Sequence, residues 1–201
     1  MGALSLDDLD TAYARPTERT VAKTLDHLDR HMIRFIALSP FCVLASVGPD
    51  GSVDTSPRGG SPGFVRVADP RRLQMPDRPG NNRLDSFRNI LGGTGEVALL
   101  FFTPGMDETL RISGRASLTR DPALMESMIE FGKPPRAVLE IAVRETFLHC
   151  PKALMRSRLW EPDAQIDRAT LPSLGEMIHE QTGLGAADTQ AQVVERSRET
   201  L

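Results

Sequence analysis

At 201 residues with a formal net charge of −3, the chain is long enough to bury one sizeable core and carries no basic excess to suggest a nucleic-acid partner. No apolar run approaches the ~20 residues that a helix needs to cross a bilayer, so no membrane partner is expected. Two cysteines, Cys42 and Cys150, are too few for a disulfide framework or a zinc site and read as reduced thiols.

The opening stretch, MGALSLDDLDTAYARP, is acidic and lacks the basic and apolar regions of a signal peptide, which makes a cytoplasmic location the expectation. Val21, Leu25, Leu28, Met32 and Phe35 fall at helical spacing, so residues 18–38 predict one amphipathic helix closed by Ser39-Pro40. Strand-like segments follow. FCVLASV (41–47) and SVDTSP (52–57) flank GPDG, whose Asp-Gly pair tolerates the positive φ of a tight hairpin turn. PGFVRVAD (62–69) and RRLQMP (71–76) continue as a meander.

Residues 75–89, MPDRPGNNRLDSFRN, then read as a strand-to-helix turn. The first N–H groups of a helix lack internal partners and the helix dipole adds partial positive charge, so an anion suits that end. Asn81 or Asn82 can cap the helix, Gly80 permits a φ > 0 turn, and Arg78 and Arg83 supply guanidinium forks that match phosphate oxygens. The same residues also suit a solvated, well-capped turn, and the stretch alone leaves both readings open. Leu84, Phe87, Ile90 and Leu91 give the helix its apolar face, with Gly92 as its stop.

VALLFF (97–102) is apolar on both faces and predicts a central strand. TLRISGRASLT (109–119) alternates, with Leu110, Ile112, Ala116 and Leu118 on one side. Asp121-Pro122 opens a helix that Gly132 would end, 136–150 reads as a long strand, and Pro151 begins the helical KALMRSRLW. The capping-box pattern of Ser173 and Glu176 starts a helix ending at Gly183. Residues 1–183 are therefore expected to form a single domain with an N-terminal helix, and residues 184–201 a polar tail. About seven hairpin-connected strands with helices at the edges predict a mainly β fold, an antiparallel barrel with peripheral helices.

Basic residues beside turns form the candidate site. Arg58 follows a strand end in SPRGG, Arg78 and Arg83 lie in the 75–89 turn, and Lys152 and Arg156 stand one helical turn apart. Five such cations suit a multiply charged anion, although each Lys/Arg pair by itself also suits a solvated helix face. Adjacent His149 and Cys150 point to opposite faces of a strand and cannot form a nucleophilic dyad; a buried, hydrogen-bonded His149 is expected. His27 and His31 share a helix face at i, i+4 but lack a third ligand, and no metal is expected. Neither GxGxxG nor a Walker loop occurs.

The ordered stretches FCVLASVGPDGSVDTSPRGG, LQMPDRPGNNRLDSFRNIL, VALLFFTPG, ETLRISGRA and HCPKALMRSRLW, spanning residues 35–162, resemble the FMN-binding split barrels related to pyridoxamine 5′-phosphate oxidase. The resemblance implies a homodimer of split β-barrels with two FMN molecules at the interface. It implies that Arg58 lies near the flavin. The segment Pro76 to Arg83, with Met75 just before it and Asp77, Arg78, Asn81 and Asn82 within it, would hold the FMN phosphate and ribityl chain. Lys152, Arg156 and Ser157 would reach the cofactor from the other subunit. The vitamin oxidase's Arg-x-x-x-x-Lys strand motif and C-terminal Arg-x-His are missing here, so pyridoxine phosphate oxidation is not expected. An FMN-dependent oxidoreductase is the leading expectation, with NAD(P)H as a candidate electron donor. The alternatives are a flavin-binding or flavin-sensing protein without turnover, and a deazaflavin- or haem-binding relative.

Overall fold

The computed structural model describes residues 2–199. Helices α1 (Leu6–Ala12), α2 (Glu18–Ala22) and α3 (Arg30–Leu38) precede strands β1 (Phe41–Val47), β2 (Val53–Gly59), β3 (Arg66–Asp69) and β4 (Arg72–Pro76). Helix α4 (Asp85–Gly92) leads to β5 (Glu96–Phe102) and β6 (Thr109–Thr119), and α5 (Pro122–Ser127) to β7 (Val138–His149). Helices α6 (Lys152–Ser157), α7 (Leu174–Thr182) and α8 (Gln190–Glu199) complete the chain.

All seven strands belong to one antiparallel sheet in the order β2-β1-β5-β6-β7-β4-β3. Its two rims, β2 and β3, do not pair, so the sheet is a split barrel and not a closed one. Period-two patterning sets the inner face. Cys42, Leu44, Leu99, Phe101, Leu110, Ile112, Leu73, Leu139 and Ile141 point inward and are buried, and Phe87 and Ile90 of α4 join them. The β5 strand lies between β1 and β6, as its two apolar faces require. Opposite Ser113-Gly114, β7 carries one extra residue, a bulge that re-aims the strand so that Val143 and Thr146 both face inward.

The expected helix over 18–38 is two helices. Leu25 leaves the helical path to exchange backbone hydrogen bonds with Thr146, at 2.9 and 2.8 Å. Leu28 donates its N–H to Pro70 O, and Asp29 caps α3 by accepting from His31 and Met32. Sheet pairing outweighs local helix propensity there, so His27 and His31 do not share a helix face. In PGFVRVAD only Arg66–Asp69 is strand; Phe64 and Val65 are spent on the core. The Asp121-Pro122 helix stops at Ser127, short of Gly132. The capping box of Ser173 and Glu176 and the left-handed Gly183 are as expected, and the polar stretch beyond carries a further helix, α8, packed chiefly on α7. Among the described residues, no helix is long and apolar enough to cross a membrane.

Candidate functional site

The sheet curls until β2 and the segment leaving β4 face each other across the split. A cavity of about 360 Å³ lies there. Its walls come from Asp54, Ser56 and Arg58 of β2, from Asp77 and Arg78, from the 80–84 turn, from the first turn of α4 and from Arg136. A second cavity of about 340 Å³ shares Arg58, Arg78 and Gly80 with it, and a third, also about 340 Å³, reaches from Gly59 and Arg78 to Phe131 and Pro134.

Each arginine is held differently. Arg58 crosses the split to Asp77, with Nη1 at 3.4 Å from Oδ1, and its guanidinium lies 5.5 Å from the Phe87 ring centroid. Arg78 donates to Lys133 O, Met128 O and Glu130 Oε2, at 3.0, 2.7 and 3.2 Å, so its fork anchors the 128–133 loop. Arg83 is exposed and donates to Asp85. Arg136 donates to Asn82 Oδ1 at 2.9 Å. The buried Nε atoms of Arg58 and Arg78 have no hydrogen-bond partner.

The turn differs from expectation in one informative way. Neither Asn81 nor Asn82 caps α4: the cap position is Leu84, in the left-handed region at φ 60°, with no side-chain hydrogen bond. The N–H groups of the first turn are thus without a side-chain acceptor, and that turn lines the cavity. Positive φ falls on Asn82, at 57°, and on Leu84, while Gly80 does not adopt it. Asn81 Oδ1 accepts from Arg83 N, a local turn that fixes this path, and asparagine tolerates the left-handed region.

Asp77 is 7% exposed. Burial pushes its carboxyl above the usual aspartate range, with Arg58, Arg136 and Arg78 pulling it back. At the other end Ser86 donates to Asp54 at 2.6 Å and lies 3.1 Å from the Ser56 hydroxyl. The cavity therefore has an arginine-rich end and a hydroxyl-lined end beside α4.

Arg58, Asp77, Arg78, Asn81, Asn82 and Arg83 meet at this cavity. Pro76 lines the adjoining one, and Met75 is a core residue lining neither. Lys152, Arg156 and Ser157, on α6, line none of these cavities within the chain. Asp54, Ser56, Ser86 and Arg136 line the first cavity as well, and the alternation of SVDTSPRGG is the one sequence signal among them, setting Asp54 and Ser56 on the same face as Arg58. His149 is partly buried, its ring tilted against Phe147 with centroids 4.7 Å apart; burial, Lys23 and Arg111 hold its pKa below the ordinary value. Among the described residues no cluster of His, Cys, Asp and Glu could hold a metal.

Fold and site together define a split β-barrel with an arginine-lined slit. The chain belongs to the pyridoxamine 5′-phosphate oxidase family, whose model matches residues 28–150. Among solved structures, HupZ of Group A Streptococcus is 18% identical over 60% of this chain and 93% of its own, with a TM-score of 0.48. A Lactobacillus delbrueckii protein provisionally described as a pyridoxamine 5′-phosphate oxidase is 22% identical over 61% of this chain and 95% of its own, at 0.49. An F420 reductase is 20% identical over 57% and 93%, at 0.41. No curated protein matches the chain.

Proposed function

We propose that the protein is an FMN-dependent oxidoreductase that works as a cytoplasmic homodimer, with FMN held in the slit. The observation that carries this reading is the cavity of about 360 Å³ where arginines from three separate segments converge on an α4 N-terminus with no side-chain cap. Orphaned Nε atoms on Arg58 and Arg78 and the hydroxyls of Ser56 and Ser86 fit a phosphate and a polyol chain. The adjoining cavities give a larger planar group room, within the range of small-molecule sites.

Bound FMN would supply the hydride chemistry. The chain's own residues bind and orient it: Arg58, Arg83, Arg136 and the first turn of α4, which line one cavity, toward the phosphate. Support for a dimer comes from the outer sheet face. Pro57, Val43, Leu100, Arg111 and Phe147 form one row across five strands, and Phe41, Val47 and Val53 are exposed beside it. A second copy covering this face could bring Lys152, Arg156 and Ser157 to its partner's slit.

Titration of the purified protein with FMN tests the reading. Binding at or below tens of micromolar, with a flavin spectrum and weaker binding of FAD, is the expected outcome; folded protein that takes up no FMN removes it. Oxidation of NAD(P)H by the loaded protein separates an oxidoreductase from a flavin carrier, and the absorbance of the protein as purified separates a flavin from a deazaflavin or a haem.

A further inference from the structure

We propose that Asp77 couples occupation of the slit to a proton: an anion that takes Arg58 as its own partner leaves the Asp77 carboxylate to be protonated, so ligand and proton bind together. The proposal rests on reading the cavity as an anion site.

The geometry is specific. Asp77 is buried in the cavity wall, and its main chain is tied on both sides, its N–H to Ala137 O at 2.8 Å and its C=O to the N–H of Arg136 at 3.1 Å. The backbone that carries the carboxyl is therefore fixed in the wall. Its side-chain partner is Arg58 Nη1, at 3.4 Å, a long contact for an ion pair.

Three cations from three elements face it: Arg58 of β2, Arg78 on its own segment and Arg136 ahead of β7. Two are spoken for. Arg78 gives its fork to the 128–133 loop, including Glu130, and Arg136 donates to Asn82. The other acids of the cavity have their own partners, Asp54 in Ser86 and Asp85 in Arg83. Arg58 is the arginine that gives Asp77 a side-chain hydrogen bond, and its Nε still lacks an acceptor.

A phosphate beside Arg58 would set a second negative charge next to a buried carboxylate. Two anions around one guanidinium raise the cost of keeping both ionised, so the pair takes up a proton that the desolvated Asp77 carboxyl is placed to hold. That burial already pushes this carboxyl upward agrees with the direction.

Calorimetry of FMN binding in two buffers of different protonation enthalpy counts the protons. At about pH 7.5, where the free phosphate is mostly doubly charged, the wild-type protein should take up a fraction of a proton per FMN. Its affinity should fall with rising pH in proportion to that fraction, by up to about tenfold per unit. Asp77→Asn should lose this uptake and bind FMN at about pH 8 at least as tightly as wild type. An equal proton count in both proteins overturns the proposal, as does weaker binding by Asp77→Asn at an unchanged count.

Inorganic phosphate, run in parallel, keeps the two questions apart. Uptake sensitive to Asp77→Asn with phosphate but no FMN binding removes the flavin reading and leaves the coupling standing; no such uptake with either anion overturns the coupling. Should the variant not fold, the wild-type protein suffices. Carbon-13 NMR should then show the highest-titrating aspartate carboxyl moving to higher pH on adding ligand, and an unmoved titration overturns the proposal.

Discussion

Arg83 stands outside the burial that fixes Arg58 and Arg78. Its pair with Asp85, at 2.7 Å, joins side chains 75% and 37% exposed, and such surface pairs contribute about 0–1 kcal/mol. Arg83→Ala should therefore leave the melting temperature of the unliganded protein nearly unchanged. FMN affinity should drop roughly ten- to a hundredfold, the loss of a charge-assisted hydrogen bond worth about 1.5–3 kcal/mol. A sharp fall in melting temperature with unchanged affinity would make Arg83 a structural residue. The two thiols divide just as cleanly. Cys42 is fully buried on β1, and desolvation pushes its thiol up to about 12 despite nearby Arg58, while Cys150 is exposed. A thiol reagent at about pH 8 should label Cys150 in the native protein and Cys42 only after unfolding; rapid labelling of both would contradict the packing. Because the unfolded thiol ionises near its ordinary value of 9.0, this group's contribution to stability is full below that pH and is lost as pH rises toward about 12.

At the scale of elements, the bulge between β6 and β7 rests on a glycine. A Cβ on Gly114 would meet Ala142 O at 2.2 Å, a backbone atom in the middle of the longest strand pair, whereas a Cβ on Gly80 meets nothing within 4 Å. Gly114→Ala should destabilise by about 1–3 kcal/mol or more, and Gly80→Ala should stay within about 0.5 kcal/mol. Chemical denaturation checks both, and equal effects would refute the register. These two glycines also mark what could be read in advance. β6 was legible to the residue because alternation is a local signal, while the bulge opposite it depends on a second strand. The helical spacing over 18–38 does not show the break at Leu25, because Leu25 pairs with Thr146, far along the chain, and no local pattern records that bridge. The turn after β4 drew attention by its arginines, which line the cavity, but its backbone path was not legible. Proline-glycine drew attention to Gly80, while the side chain of Asn81 moved the unusual dihedrals to Asn82 and Leu84. Arg136 reaches the site only because β7 pairs with β4, so nothing near it in sequence marks it.

For the whole molecule, the proposed dimer predicts complementation. Arg58→Ala/Arg83→Ala chains and Lys152→Ala/Arg156→Ala chains should each bind FMN poorly as homodimers. Refolded together at random, half the dimers are mixed, and each mixed dimer gathers all the damage into one site and leaves the other intact. Binding should recover to about a quarter of wild type. If Lys152 and Arg156 served their own chain's slit, every site in the mixture would remain damaged and no recovery would appear.

A curled sheet whose rims do not pair has the shape of a spring clip: β5 and β6 form the bend, and β2 and the segment leaving β4 are the jaws. The Arg58–Asp77 contact is the catch across the opening, and at 3.4 Å it is a light one. Any molecule seated between the jaws stitches them together, so its grip should be felt along the backbone at both rims and hardly at the bend. Hydrogen exchange should accordingly slow in concert at the amides of β2 and of residues 77–84 when FMN is added, with β5 and β6 amides unchanged. Uniform slowing over all strands would mean that loading stabilises the barrel globally and that the opening does not work as a pair of jaws.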